Sequence, residues 1–566
     1  MSSSFVRKFL TATRDKTSKS IEIFWLVFSL VFSIGTAVAI FSEAFGHQYV
    51  LQDDARQHVF WMMRFVDPQL FPNDLIADYF QSVAPLGYST LYQVGSMLGL
   101  SPFVFSKILP VILGAISTAY GFGVSMQILP VPFAGFVSTL VLNQTLWCKG
   151  DLISATPRAF LYPLFLAFLY YFLKKRLIAT SLSIFLTGLF YPQYLLVEGG
   201  IVTLSTIDYI KTKKRIDVKR CSAYLVIVVA MLVFYAAKTS DFSPVIDVET
   251  AKQLPGFFKG GRIYFFNDNF VRFWTVHPRS GYFPKGTAMT LWIGLLLPVL
   301  LLFSKTFKLL RCYRSNQKIL LQIFITATLL FFLSHALLFK LHLPNRYSGH
   351  TGIIVLSFAS GLVITASIDA ALNARKWRFL KTGFALIVSL SIAIFPIFLE
   401  EFPKTNTLVR GKAEALYEFF QKQPKDISIA SISKEADNLP TFAKRSVLVA
   451  QEYAIPYHYG YYQKFRKRAV TVFEAQYSPN LETVKQAIDR YDIDFWLLDF
   501  NAFAPDYFSD RQWGSRWHFQ FLEHPESIVR LEREEKPALS LLEQQCKVFE
   551  TDLHRVLSAS CILSAK

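Results

Sequence analysis

Residues 22–42, EIFWLVFSLVFSIGTAVAIFS, hold a single charge, Glu22, at their first position and none after it. About 20 apolar residues in a helix are enough to cross the hydrocarbon core of a bilayer, so this stretch reads as a spanning helix. Arg7, Lys8, Arg14, Lys16 and Lys19 precede it and no small-residue cleavage site follows. It is therefore expected to remain as the first helix, with a cytoplasmic N-terminus, rather than to be removed as a signal peptide.

The same signature recurs along the chain. Apolar runs of spanning length fall at about 103–128, 131–148, 158–173, 177–191, 195–210, 221–237, 287–304, 319–340, 351–372 and 380–399. The segment 86–101 is also apolar and reads as re-entrant or interfacial. With 52% hydrophobic, 16% aromatic and only 18% charged residues over 566 positions, the composition is that of a membrane protein.

The net charge of +18 raises the question of nucleic acid. Five short stretches (1–20, 174–176, 211–220, 305–318 and 373–381) hold 23 Lys and Arg against only Asp15 and Asp217. That confinement to loops between apolar runs follows the positive-inside rule, so no nucleic-acid partner is expected. Threading about 11 spans from a cytoplasmic N-terminus puts each internal basic loop inside. The outside then receives loops 43–102 and 238–286, the turns at 149–157, 191–194 and 343–347, and everything after 400.

Beyond residue 400 the chain turns mixed polar. Short β-like runs at 427–430, 446–449 and 495–498 alternate with helical stretches at 411–423 and 481–491, the pattern of a small α/β domain. The expected architecture is mainly α: a cytoplasmic segment 1–21, a polytopic helix bundle 22–399 and an extracytoplasmic α/β domain 400–566. Five cysteines show no metal spacing, and Cys546 and Cys561, both in the last domain, are candidates for a disulfide if that side is oxidising.

Every feature with chemical potential lies on the outer face. Gln52-Asp53-Asp54-Ala55-Arg56-Gln57-His58 follows the first helix. Adjacent acids there suit a divalent ion, such as Mg or Mn, or a general base for an acceptor hydroxyl. They equally suit capping of a helix that starts near Ala55. Arg158, behind Pro157, can snorkel to head groups or clamp a phosphate. Arg346, Tyr347 and His350 in the next outer turn pose the same choice between interfacial anchor and substrate contact. Glu198 reads either as a buried intramembrane carboxylate or as an interfacial one. Loop 238–286 sets Lys259, Gly260, Gly261, Arg262, Asp268, Arg272, His277 and Arg279 among aromatics, fitting a sugar, a lipid head group or an ordinary interfacial belt.

Taken together, the layout resembles the GT-C superfamily, integral-membrane glycosyltransferases that use polyprenyl-phosphate-linked sugars, among them protein mannosyltransferases and aminoarabinose lipid A transferases. The segments 53–58, Thr156-Pro157-Arg158-Ala159-Phe160, Phe190-Tyr191-Pro192-Gln193 and Leu343-Pro344-Asn345-Arg346-Tyr347 are also similar to a group of cyanobacterial membrane proteins of that general type. The resemblance implies that Asp53 or Asp54 acts as catalytic base or metal ligand. It further implies that Arg158 and Arg346 hold the donor phosphate, with Arg56, His58, Tyr347 and His350 as substrate contacts. The expected partners are a polyprenyl-phosphate sugar, a lipid or glycan acceptor and membrane lipids. A later acidic motif is not obvious, unless Asp151, Asp247 or Glu249 supplies it. No Walker or dinucleotide glycine motif is present. Tyr453, His458, Tyr461 and Tyr462 in the last domain either select the acceptor or serve as a structural cap. Two other classes, a non-catalytic assembly protein and a lipid or solute transporter, share many of these features.

Overall fold

The computed structural model describes residues 3–238, 240–303, 305–312, 317–373, 407–508 and 535–566, with a few isolated positions between 383 and 533. The expected span at 380–399 lies outside the described residues apart from three isolated positions. Among those described, five helices are long and apolar enough to cross a membrane. They are α1 (Lys19–Gly46), α5 (Pro102–Ile128), α10 (Arg215–Ala237), α11 (Lys318–Ala336) and α12 (Asn345–Asn373). Between them run the shorter apolar helices α7 (Leu161–Leu173) and α8 (Leu177–Phe190), and also α6 (Pro132–Leu146) and α9 (Leu195–Lys211). The chain is a multi-pass membrane protein.

Helix α6 is the axis of the bundle. All of its residues are buried, and α1, α5 and α12 pack around it. Pro132 begins it because a residue lacking N–H suits the first turn, where that donor has no intrahelical partner. Polar side chains join the helices: Thr139 Oγ1 donates to Ser29 Oγ at 3.0 Å, and Asn143 Nδ2 to Thr118 Oγ1 at 2.9 Å. Such bonds help hold helices together where no hydrophobic force separates protein from lipid. On the α12 side the contact is close. A Cβ on Gly361 would collide with Ser138 Oγ and come within 3.0 Å of the Ala134 carbonyl oxygen.

The expected helix at 287–304 forms in two pieces, a 3-10 stretch Met289–Leu296 and then Leu297–Leu302. Pro298 sits in the first turn of the second piece, where its missing N–H interrupts a continuous helical ladder.

Loop 43–102 is itself folded. Strand β1 (Val50–Gln52) leads into α2 (Asp53–Val59), followed by α3 (Leu75–Val83), started by Asp74 accepting from Ile76 N and Ala77 N, and α4 (Leu86–Met97) in the apolar segment. Arg64 ties the loop together through Asp78 at 2.8 Å and Gln81 at 2.7 Å.

The C-terminal region is α/β. Its five-stranded sheet runs β4 (Ser446–Val447), β3 (Ser428–Ala430), β5 (Phe495–Asp499), β7 (His554–Ser558), β6 (Lys547–Glu550). Strands β4, β3 and β5 are parallel, and β7 and β6 are added antiparallel. Cys546 and Cys561 are joined by a disulfide. One further strand, β2 (Leu408–Arg410), leaves this region to pair antiparallel with β1, with Leu51 opposite Val409. Tyr79 of α3 stacks on Tyr461, ring centroids 3.8 Å apart, and its hydroxyl meets His458 Nδ1 at 3.0 Å. The first loop and the C-terminal domain are thus built as one surface.

Candidate active site

The site starts from how α2 begins. Gln52, not either acid, caps the helix: its Oε1 accepts from Ala55 N at 2.9 Å. Asp53 and Asp54 therefore lie in the first turn, with their carboxylates at the positive end of the helix and directed to other partners. The capping role open to these acids from sequence is filled by their neighbour.

Two ion-pair chains radiate from the pair. In the first, Arg158 Nη2 donates to Asp54 Oδ2 at 2.6 Å and its Nη1 to Asp151 Oδ1 at 2.9 Å. Asp151 also has Arg346 Nη1 at 4.0 Å and His350 Nδ1 at 3.6 Å, and that imidazole nitrogen meets the Tyr162 hydroxyl at 2.9 Å. Burial alone would push the Asp151 carboxyl up. The neighbouring His350 imidazole and the charges of Arg158, Lys149 and Arg346 more than reverse that and hold it well below the usual carboxylate range.

In the second chain, Arg56 Nη2 donates to Asp53 Oδ1 at 2.9 Å and Nη1 to Asn438 Oδ1 at 2.9 Å, with Glu452 Oε2 at 3.8 Å. Arg262 pairs with the same Glu452 carboxylate. Burial, reinforced by Asp437 and Asp53, pushes Glu452 up to about 7, although Arg262 and Arg56 pull the other way. Burial likewise pushes Asp437 up to about 6.

Against the two acids and the second of these chains lies a polar cavity of about 700 Å³. Asp53, Asp54, Arg56 and Gly150 border it on the bundle side, Gly260, Gly261 and Arg262 from loop 238–286, and Lys434, Asp437 and Glu452 from the C-terminal domain. Side chains of Asp53 and Asp54 remain 49% and 31% exposed, so an incoming hydroxyl can reach them.

The other expected contacts separate into two kinds. Arg346 and His350 join the Arg158 chain. Arg56 is buried and serves the joint between α2 and the C-terminal domain, and Tyr347, also buried, donates its hydroxyl to the Leu341 carbonyl at 2.8 Å. His58 lies edge-on to Phe80 at 5.2 Å, and burial, with Arg158 and Arg262 nearby, pushes it down to about 4, so it is neutral at pH 7. Glu198 is fully buried in the first turn of α9 and accepts from Thr187 at 2.8 Å. Tyr453, Tyr461 and Tyr462 are buried too, with Tyr453 set against Phe60 and Phe80, which fits the structural cap. Of the three acids considered for a second acidic position, Asp151 is the one at the site. Asp247 caps its own short helix by accepting from Thr250 N.

Asp53 and Asp54 fit a metal poorly, because each already gives an oxygen to a guanidinium. Among the described residues no group of three or more His, Cys, Asp or Glu could hold a metal ion.

No protein-family model and no curated protein matches the sequence. Solved structures do match in fold. The Archaeoglobus fulgidus oligosaccharyltransferase tethered with an acceptor peptide containing the NVT sequon is 11% identical, covers 90% of this chain and 72% of its own, and has a TM-score of 0.50. Its apo form matches over the same shares at 11% identity and a TM-score of 0.52. Its complex with an inhibitory peptide and a dolichol-phosphate, also 11% identical, covers 89% and 72% at a TM-score of 0.51. A further structure of that enzyme is a complex with Zn and sulfate. The chain thus shares the overall fold of that oligosaccharyltransferase.

Proposed function

We propose that the chain is a membrane glycosyltransferase moving a sugar from a polyprenyl-phosphate donor to a lipid or glycan acceptor at the outer face. The observation that carries this reading is the pair Asp53–Asp54 at the mouth of a polar cavity, joined through Arg158 to a cationic array, on the fold shared with that oligosaccharyltransferase. The acceptor hydroxyl approaches the anomeric carbon from the cavity. Its oxygen forms the new glycosidic bond as the bond from that carbon to the phosphate oxygen breaks. The hydroxyl proton goes to Asp54, with Asp53 as the alternative base, and the lipid phosphate leaves with the electron pair. Arg158 and Arg346 face the charge growing on that phosphate. Complexes of the oligosaccharyltransferase of the same fold with a dolichol-phosphate and with an acceptor peptide support a lipid-phosphate donor. An Mg or Mn ion here would have to share Asp53 and Asp54 with the Arg56 and Arg158 guanidiniums, and no step above runs through it.

The basic loops support an N-terminus on the cytoplasmic side of the inner membrane, and the Cys546–Cys561 disulfide supports an oxidising, extracytoplasmic location for the domain from about 400 to 566. Segments 1–21 and 22–399 then form the cytoplasmic end and the bundle. The test is transfer of radiolabelled sugar from polyprenyl-phosphate-sugar pools to membrane acceptors by purified, reconstituted protein. Activity lost in Asp54→Asn supports the reading. Folded wild type that transfers nothing from any pool overturns it.

A further inference from the structure

We infer that the Arg158 guanidinium is the resident cation of this site, bridging Asp54 and Asp151 where a divalent ion would otherwise stand. The two carboxylates come from distant parts of the chain, Asp54 lying 104 residues from Arg158, yet each presents one oxygen to the same guanidinium, at 2.6 and 2.9 Å. Two carboxylate oxygens converging on one centre form the core of a Mg or Mn site. Here a planar fork with a permanent charge takes both, which arginine does better than lysine because its donors diverge at fixed angles.

Two further observations close the place to a second cation. The Asp151 carboxylate, 8% exposed, has His350 Nδ1 at 3.6 Å from its other oxygen. Arg346 approaches the same carboxylate at 4.0 Å, so two guanidiniums already balance the two acids and a doubly charged ion would meet their repulsion. Asp53, the remaining acid of the pair, is held by Arg56. The backbone also fixes the arginine. Pro157 opens the 3-10 turn Pro157–Phe160, which runs straight into α7, so Arg158 projects from a rigid element rather than a loose loop. For the transferase reading, on which the catalytic meaning rests, the consequence is that the departing phosphate is met by fixed arginine charge and the reaction needs no added metal.

Binding of Mn2+ to the purified full chain, followed by electron paramagnetic resonance without donor or acceptor, tests the cation assignment apart from any activity. Wild type is expected to bind no Mn2+ at this site. Arg158→Ser is expected to gain a single Mn2+, lost again when Asp54→Asn is added. Wild type that binds Mn2+ and loses it in Asp54→Asn overturns the inference, as does a folded Arg158→Ser that binds none. Should Arg158→Ser not fold, wild type against Asp54→Asn decides alone: equal binding supports the assignment and weaker binding in the variant overturns it. A parallel transfer assay is expected to give the same rate in EDTA as in Mg2+, and a rate that EDTA abolishes overturns the metal-free consequence. Absence of transfer under every condition falsifies the transferase reading and leaves the Mn2+ result standing.

Discussion

Removing the Arg56 side chain is expected to loosen the first loop from the C-terminal domain while leaving the helix bundle intact. Its side chain is only 7% exposed, and the guanidinium reaches Asn438, Asp53 and, at 3.8 Å, Glu452, whose side chain is 15% exposed. Deleting one partner of a buried ion pair costs about 3–5 kcal/mol, since the other is left uncompensated. Arg262 still neutralises Glu452, and Asp53 is half exposed and screened by water, so the low end applies. About 3 kcal/mol corresponds to roughly a hundredfold more opening of that joint. Hydrogen exchange reads it directly at β1 and β2, whose pairing seals the joint. In Arg56→Ala the amides that bond the two strands together should exchange roughly a hundredfold faster, while amides of α6 keep their protection. Arg56→Met, which keeps the apolar stem, should fall between. Exchange at β1 within about threefold of wild type, less than 1 kcal/mol, would refute the assignment of Arg56 to the joint.

Other outcomes follow from the same contacts. Asp54→Asn should fold as wild type does and lose about 10²–10⁴ of its transfer rate, with Asp53→Asn losing less, as measured in the reconstituted transfer assay. The Glu452 carboxyl, raised from 4.5 to about 7, holds its proton in the fold where the unfolded chain has lost it. Its contribution to stability is therefore complete below about pH 4.5 and is lost as pH rises through 7, and Glu452→Gln should flatten that part of a denaturation–pH profile. Breaking the Cys546–Cys561 bridge, with a sequence separation of 15, should cost the C-terminal domain about 3 kcal/mol in a denaturant titration. Gly361→Leu should prevent accumulation of folded protein in detergent extracts, because α12 cannot then approach α6.

The bundle was legible because bilayer length and loop charge are local signals: the apolar runs at 103–128 and 177–191 became helices within a residue or two of those limits. The strands at 428–430 and 495–499 were likewise readable from short apolar runs. What stayed hidden is pairing across the chain. Nothing near Asp54 announces Arg158, and Glu452, on which Arg56 and Arg262 meet, carried no expectation of its own although Tyr453 beside it did. Asp151 was visible as one of three acids on the expected outer face, but only the packing of α6 against α12 brings it to Arg346 and His350. Gln52 as the cap, rather than an aspartate, follows from where β1 ends, and β1 exists only because β2 pairs with it.

That strand pair has a consequence for how the protein is made. A ribosome delivers β1 just after the first helix and β2 only after every other helix of the bundle has emerged. Until then the segment bearing the acids has no strand partner and no C-terminal wall, so the cavity does not yet exist. Assembly of the centre is thereby tied to completion of the polypeptide, and a half-synthesised chain already in the bilayer carries the two acids without the cavity.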